Sequence, residues 1–432
     1  MKKKSISRFE KVQCYGRRLP WIYIHLSLIT FLILALSWFF DCPFLKAAEN
    51  KASLPSTLQI RNDNDSGLTA KKAAEYKKPV PSSLHARAAI LMNGKDQRVL
   101  FDKDAYRELP MASTTKIMTC LYALEHGQLT DIVTFSRKAA SAPKVRLGAP
   151  EGSRFLLSDL LYALMLESDN DVAVAIAEHI GGSVEAFCQD MTREARDYGC
   201  FHTSFKTPNG LDNDQHYTSC YDLALLTCRA LENPQFRKII AESSYSIKDL
   251  EHHVSYNLQN KNTFLSTYPG AIGVKTGFTG KAGYCFVGAV EKDDHYLISV
   301  VLGSSWPPHR SHKWDDTRAL MDHGIKSYTE RSISLEDAIP ATLPVDSGLS
   351  DSCRISSKDQ VSILLAEDEK VSMEADLPDR LTAPVLKNDT IGSLSLYIDQ
   401  KLYRTWPVTA RTTVRKIRYR DCLLWTVRDL CK

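Results

Sequence analysis

The chain has 432 residues, 44% hydrophobic and 25% charged, with a net charge of +4. That length predicts two or three domains and a core that needs no metal or disulfide staple. The ordinary composition excludes collagen-like, coiled-coil and wholly disordered chains. The charge is split: residues 1–18 carry +6 and residues 411–432 carry +5, which leaves −7 on the body. Nucleic-acid binders concentrate basic charge on a folded domain. Basic ends on an acidic body fit an anionic membrane surface better, so nucleic acid is not expected as a partner.

Residues 1–48 combine a basic start with the uncharged run Leu26–Phe40. This reads as a signal peptide or as an uncleaved signal anchor, and implies export. A single run of this kind excludes a polytopic membrane protein. Residues 49–84 are polar and poor in apolar side chains, and are expected to form a disordered linker. Of eleven cysteines, Cys14 and Cys42 fall in or near the signal. Cys188 and Cys200 bracket a predicted helix and could pair; free buried thiols are the other reading.

Order is expected from His85. ARAAILM and RVLFDK read as strands joined at Asn93-Gly94. Ile117, Leu121 and Leu124 have helical spacing, and Gly127 stops that helix. A helical region spans Ser158 to Tyr198, with Ser158 and Ser183 as caps and helices from Asp171 to Ile180 and after Ser183. Tyr221 to Glu232 is also predicted helical. AIGVKTG, GYCFVGAVE and HYLISVVLG read as strands, and Asp315 to Tyr328 as a helix. Strands at both ends of residues 85–330, with helices between, predict an α/β domain in which the first hairpin and the last strands form one antiparallel sheet. Short alternating segments over residues 331–410 predict a small all-β domain.

Three segments carry chemistry. In Ser113-Thr114-Thr115-Lys116 the serine and lysine share a helix face at i and i+3. A serine hydroxyl needs an adjacent base, and a lysine of depressed pKa can serve. Ser168-Asp169-Asn170 sits in the break between two apolar helices, where the plain alternative is an N-cap. Lys275-Thr276-Gly277 ends an apolar strand, where a lysine and a hydroxyl can hold a carboxylate and a glycine admits a substrate backbone. Alone, each triplet is weak. Together, with leading residues 55 and 107 positions apart, they form the S-x-x-K, S-D-N, K-T-G set of serine penicillin-recognising enzymes.

With LPMASTTKIMT, TPNGLD and YPGAIGVKTGFTGKAGYCFVGAV added, residues 85–330 closely resemble the D-alanyl-D-alanine carboxypeptidases, the low-molecular-mass penicillin-binding proteins of serine peptidase family S11. The resemblance implies a penicillin-binding/β-lactamase-like transpeptidase fold: an antiparallel sheet flanked by helices, with a helical subdomain and a small C-terminal β domain. It implies removal of the terminal D-alanine of peptidoglycan stem peptides, inhibition by β-lactams, and no cofactor or metal. Ser113 is then the nucleophile, Lys116 its base, and Ser168 the relay to the leaving amine. Asn170 holds the peptide, and Lys275 and Thr276 hold the carboxylate beside Gly277. The backbone N–H groups of Ser113 and Phe278 form the oxyanion hole. Lys313 is the expected further cation, with Arg310 as fallback.

Rival readings are a β-lactamase, a zinc D,D-carboxypeptidase, a non-catalytic wall-binding protein and a D,D-endopeptidase. No Glu occurs in FHTSFKTPNGLDNDQHYTS, where a class A β-lactamase carries E-x-x-x-N. His309 and His312, and His252-His253, lack an accompanying zinc-ligand set. Every expected catalytic position is intact. The endopeptidase uses the same chemistry and stays open. Finally, residues 411–432 place Leu423, Leu424, Val427, Leu430 and Cys431 on one side of a helical wheel. This predicts an amphipathic membrane-anchor helix; packing on the β domain is the alternative.

Overall fold

The computed structural model describes residues 83–292 and 295–431, with Pro81 and the short segment Leu58–Gln59. The signal or anchor reading of residues 1–48, and nearly all of the linker reading of residues 49–84, lie outside the described residues.

Strand β1 (Ala88–Asn93) is apolar up to Asn93 and buried along its whole length. It pairs with β2 (Val99–Lys103). The chain returns to the same sheet near the end of the domain as β3 (Ala271–Thr279), β4 (Gly283–Lys292) and β5 (His295–Leu302). The antiparallel order is β2-β1-β5-β4-β3. Successive side chains of a strand point to opposite faces. Ala88, Ile90 and Met92 therefore join the core of the helical subdomain, with Ile298 and Val300. Ala89 and Leu91 join the opposite core, with Leu320 and Met321 of the C-terminal helix α6 (His312–Ser327). Both faces are covered, so β1 and β5 are buried at nearly every position rather than at alternate ones.

Between β2 and β3 lie α1 (Lys116–His126), α2 (Leu157–Tyr162), α3 (Asn170–Gly181), α4 (Val184–Asp197) and α5 (Cys220–Glu232). The Ser183 hydroxyl accepts from the Ala186 N–H and caps α4 as expected. Ser158 does not cap α2: the helix starts one residue earlier, at Leu157, whose N–H is held by the Asp131 carbonyl. Cys188 and Cys200 are both free and buried. The Cys200 thiol lies 3.4 Å from the Asp222 carbonyl oxygen rather than against Cys188.

The chain leaves α6 directly into β6 (Tyr328–Ser334), and the all-β unit follows: β7 (Thr342–Asp346), β8 (Ser352–Ser356), β9 (Gln360–Ala366), β10 (Val371–Asp376), β11 (Leu381–Thr382), β12 (Thr390–Ile398) and β13 (Lys401–Ala410). β6 pairs with β9, while β10, β12, β13, β8, β7 and β11 follow one another in the larger sheet. Residues 411–417 are not helical, contrary to the sequence expectation. Val414 bridges Val385, and the Ile417 N–H reaches the Ser347 carbonyl. Only α7 (Tyr419–Leu430) is helical, and Leu423, Leu424, Trp425, Val427 and Leu430 on it are exposed rather than packed on the β domain.

Arg98, just before β2, ties the two units together. Its guanidinium pairs with Glu369 at 2.6 Å and also reaches the Leu364 carbonyl, while the Tyr403 hydroxyl donates to Asp96 at 2.7 Å. Both members of the ion pair are nearly buried. Removing one member strands the other charge, at a cost of about 3–5 kcal/mol. Glu369→Ala should therefore lower the urea midpoint of the β unit by a corresponding amount. Penicillin acylation at low denaturant should be unchanged.

Candidate active site

Ser113 lies in a 3₁₀ turn, Ala112–Thr115, that runs into α1. Two hydroxyls bond back onto carbonyls three residues earlier: Thr114 Oγ1 donates to Met111 O at 2.6 Å and Thr115 Oγ1 to Ala112 O at 2.8 Å. They tighten the turn, and Ala112 within it adopts φ 51°. Lys116, three residues on, is completely buried. Its Nζ lies 3.1 Å from Ser113 Oγ, 2.9 Å from Asn170 Oδ1 and 2.6 Å from the Asn209 carbonyl oxygen. Burial first, and then the Lys275 ammonium, push its pKa well below the usual lysine range, against an opposing pull from Asp169 and Asp171. A neutral amine has two N–H groups and one lone pair. Asn170 and Asn209 offer acceptors for the two hydrogens, so the lone pair faces the serine.

The second segment owes its place to an interruption in a helix. α2 widens into a π-turn, Ala163–Glu167, and stops at Ser168, which has φ 71°. Ser168 Oγ is buried with no hydrogen-bond partner among the described residues. Asn170 opens α3; its Oδ1 accepts from Lys116 and its Nδ2 donates to the Pro143 carbonyl at 3.1 Å. The next carboxylate, Asp171, accepts from the N–H groups of Leu147 and Gly148 at 2.9 Å each, which fixes the loop over the cleft. The plain N-cap reading fails at Asp169, whose side chain makes no cap bond. Burial and the neighbouring Asp171 and Glu167 push the Asp169 carboxyl up to about 8, so it is mostly protonated at neutral pH.

The third segment is β3, at the edge of the sheet. Lys275 is buried and donates to the Thr276 carbonyl at 3.2 Å. Burial, and then Lys313, bring its pKa down to about 7. Lys313 opens α6 with its ammonium 5.1 Å from the Tyr284 ring centre and 4.8 Å from that of Trp314. Lys313 is the cation that bears on Lys275, and burial and Arg310 in turn lower the pKa of Lys313. Gly277 packs against the nucleophile turn: a Cβ there would sit 3.0 Å from the Ser113 nitrogen. Phe278 faces Tyr284 across the ladder, but the Tyr284 N–H and carbonyl are engaged by Ser305 and Ser304 on the other side. This is a non-hydrogen-bonded pair, so the Phe278 N–H points out of the sheet edge. The side chain of Phe278 is exposed.

The sequence reading noted TPNGLD only as part of the resemblance and missed its role as the fourth wall, Thr207–Leu211. Thr207 Oγ1 donates to Leu211 O and accepts from the Gly210 N–H, both at 3.2 Å. Gly210 has φ 87°, and a Cβ there would collide with the Ala112 carbonyl. Only glycine lets this turn press the Asn209 carbonyl onto Lys116. The histidines of the zinc reading do other things. His312 Nδ1 meets Ser305 Oγ at 2.7 Å, and His252 meets Asp249 at 2.8 Å. Among the described residues one His/carboxylate group has converging ligand atoms, Glu125, His126 and Glu194, and none of the three belongs to the cleft.

Comparison with known proteins identifies the family. The D-alanyl-D-alanine carboxypeptidase family profile matches residues 72–305, and the profile of the penicillin-binding protein 5 C-terminal domain matches residues 328–416. The D-alanyl-D-alanine carboxypeptidase DacF of Bacillus subtilis is 30% identical over 355 residues, covering 80% of this chain and 90% of its own length. DacC of Escherichia coli is 27% identical, covering 80% and 88%. Penicillin-binding protein 5 from Haemophilus influenzae superposes with a TM-score of 0.66 at 24% identity, over 78% of this chain and 99% of that one. A Streptomyces K15 DD-transpeptidase variant superposes at 0.53 and 28% identity, over 56% of this chain and 99% of that one. With the family profile spanning more than half of the sequence and the β unit matching as well, this chain belongs to the D-alanyl-D-alanine carboxypeptidase family of serine peptidases.

Proposed function

We propose that this chain removes the terminal D-alanine from peptidoglycan stem peptides through an acyl-enzyme on Ser113. The observation that carries the reading is the fully buried Lys116 amine beside Ser113 Oγ. Ser113 Oγ attacks the carbonyl of the D-Ala-D-Ala bond, and Lys116 takes its proton. The oxyanion meets the N–H groups of Ser113 and Phe278 at the edge of β3. The proton then passes by way of Ser168, whose hydroxyl has no other partner among the described residues, to the leaving amine. Water cleaves the ester and restores Ser113. Lys275 and Thr276 receive the substrate carboxylate, with Lys313 behind them. Asn170 has one amide hydrogen left for the peptide once Pro143 is served.

β-Lactams enter by the same acylation. Ser113→Ala should abolish both D-alanine release and labelling by a fluorescent penicillin. Lys116→Ala should fold and acylate about 10²–10⁴-fold more slowly. Full labelling of the serine variant would remove it as the nucleophile.

The charge on Lys275 sets a pH limit. Its pKa near 7 in the free enzyme means that the ammonium needed for the carboxylate is lost as pH rises through 7. A bound carboxylate stabilises the charged form. For a carboxylate substrate, kcat/KM should therefore fall above about pH 7 while kcat holds to higher pH. Lys275→Arg, always charged, should lose that basic limb. A limb that survives in the arginine variant would assign it to another group.

The elements and the two matched profiles support a catalytic domain at 85–330 and a β unit that runs on past residue 410 to Ile417, and the proposed terminal anchor rests on α7 alone. The family acts on the wall, outside the cytoplasm. No helix among the described residues is long and apolar enough to cross a membrane. α7 instead carries exposed Leu423, Leu424, Trp425, Val427 and Leu430 in a basic segment, a composition suited to lying in an anionic interface. Residues 411–417 pair with the β unit, so the cut that tests this falls after Ile417. Chains of residues 83–417 and 83–432 should differ in sedimentation with anionic vesicles. The longer should pellet at low salt and release partly at high salt; equal supernatants would remove α7 as the anchor.

A further inference from the structure

We propose that His216 is a positioning residue for acylation: its neutral ring clamps the Ser113 turn to the Asn209 turn and thereby holds Lys116 in line with the nucleophile. The inference rests on Ser113 as nucleophile and Lys116 as its base.

The ring is buried and both nitrogens are engaged. Nδ1 faces the backbone N–H of Lys206 at 3.0 Å and that of Thr207 at 3.4 Å. Both are donors, so Nδ1 carries no hydrogen and the proton sits on Nε2. Nε2 lies 2.8 Å from Thr115 Oγ1, whose own hydrogen is directed to the Ala112 carbonyl at 2.8 Å. A single chain of bonds thus runs from the backbone of 206–207, through the ring, to the residue before Ser113. Its far end is Ala112, in the left-handed region at φ 51°. Its near end opens the turn whose next carbonyls hold the helix. Pro208 O accepts from Thr119 Oγ1 at 2.6 Å and Asn209 O from Lys116 Nζ at 2.6 Å. The backbone around the ring is pinned as well, since Tyr217 bridges Ser204 and Thr218 bridges Leu109.

The clamp works only with the neutral ring. A second ring hydrogen would point Nδ1–H at two backbone N–H groups. Burial holds the pKa down to about 4 against the opposing pull of Asp212, and the Phe205 ring packs edge-on. The ring touches neither Ser113 Oγ nor the carboxylate pocket. Its loss should therefore act on the acylation step rather than on binding.

The test uses the full chain and penicillin, with the acylation rate constant and the pre-covalent dissociation constant resolved separately across pH. Displacement of catalytic groups by about 1 Å costs on the order of 100-fold. His216→Ala should lower the acylation constant about 10–100-fold and leave the dissociation constant nearly unchanged. The Asn209 carbonyl favours the protonated form of Lys116. Loosening it should move the acid limb of acylation to lower pH, a change that lost stability alone does not produce. Thr115→Val keeps the shape and cuts the chain at its centre, and covers the case in which the alanine variant does not fold. It should reproduce both effects, and the double variant should be no slower than the slower single. Folded variants that acylate at the wild-type rate with an unmoved acid limb overturn the proposal. Loss of all labelling in Ser113→Ala tests the nucleophile independently, so the two readings fail separately.

Discussion

The site depends on a lysine with nowhere to put its charge. Lys116 is buried, its three near neighbours are all neutral, and the strongest charge acting on it is another lysine. A carboxylate in contact would have restored an ordinary ammonium and ended its use as a base. The acidic residue nearby, Asp169, is itself driven toward the neutral form by burial and by two other acids. The pocket therefore sets lysine against lysine and acid against acid, and the balance presses Lys116 toward the neutral amine. It is the same logic by which an enzyme runs base chemistry at neutral pH with a residue that is normally an acid's partner.

Four segments distant in sequence build that pocket, and each has a physical stop that places it. The nucleophile turn is tightened by two threonine hydroxyls. The Ser168 segment is released by a π-turn and a left-handed residue. β3 is an edge strand whose glycine admits close approach. The Asn209 turn fits only because position 210 has no side chain. The nucleophile turn is held between two of these segments, against Gly277 of β3 on one side and Gly210 on the other.

Most of the fold was legible because its signals are local. Short, largely apolar runs gave β1 and β5, and helical spacing with a terminal glycine gave α1. The catalytic triplets were legible because an i, i+3 spacing is already a geometry. What escaped was non-local. Ser158 looked like a cap because a serine before an apolar run usually is one, yet the Asp131 carbonyl had already set the helix start. The tail looked wholly helical because β-bridges from 411–417 to distant loops leave no periodic mark. Asn209 contributes a carbonyl, and backbone atoms have no letter in a sequence. His216 acts through a tautomer fixed by two backbone donors, which no spacing reveals.

On the proposed mechanism, the two lysines also link substrate binding to the strength of the base. In the free enzyme, a proton on Lys116 would add a second buried positive charge beside Lys275, which disfavours the charged amine. A substrate carboxylate against Lys275 turns that charge into an ion pair with no net charge. The oxyanion forming at Ser113 adds a negative charge nearby. Both changes lower the cost of protonating Lys116 as the serine gives up its hydrogen. Substrate binding and base strength are thus linked through one electrostatic contact. A peptide lacking the terminal carboxylate leaves Lys275 uncompensated, and the proton transfer meets the full repulsion of the empty pocket. Selection for a free carboxyl terminus is in this way expressed in the chemical step as well as in binding.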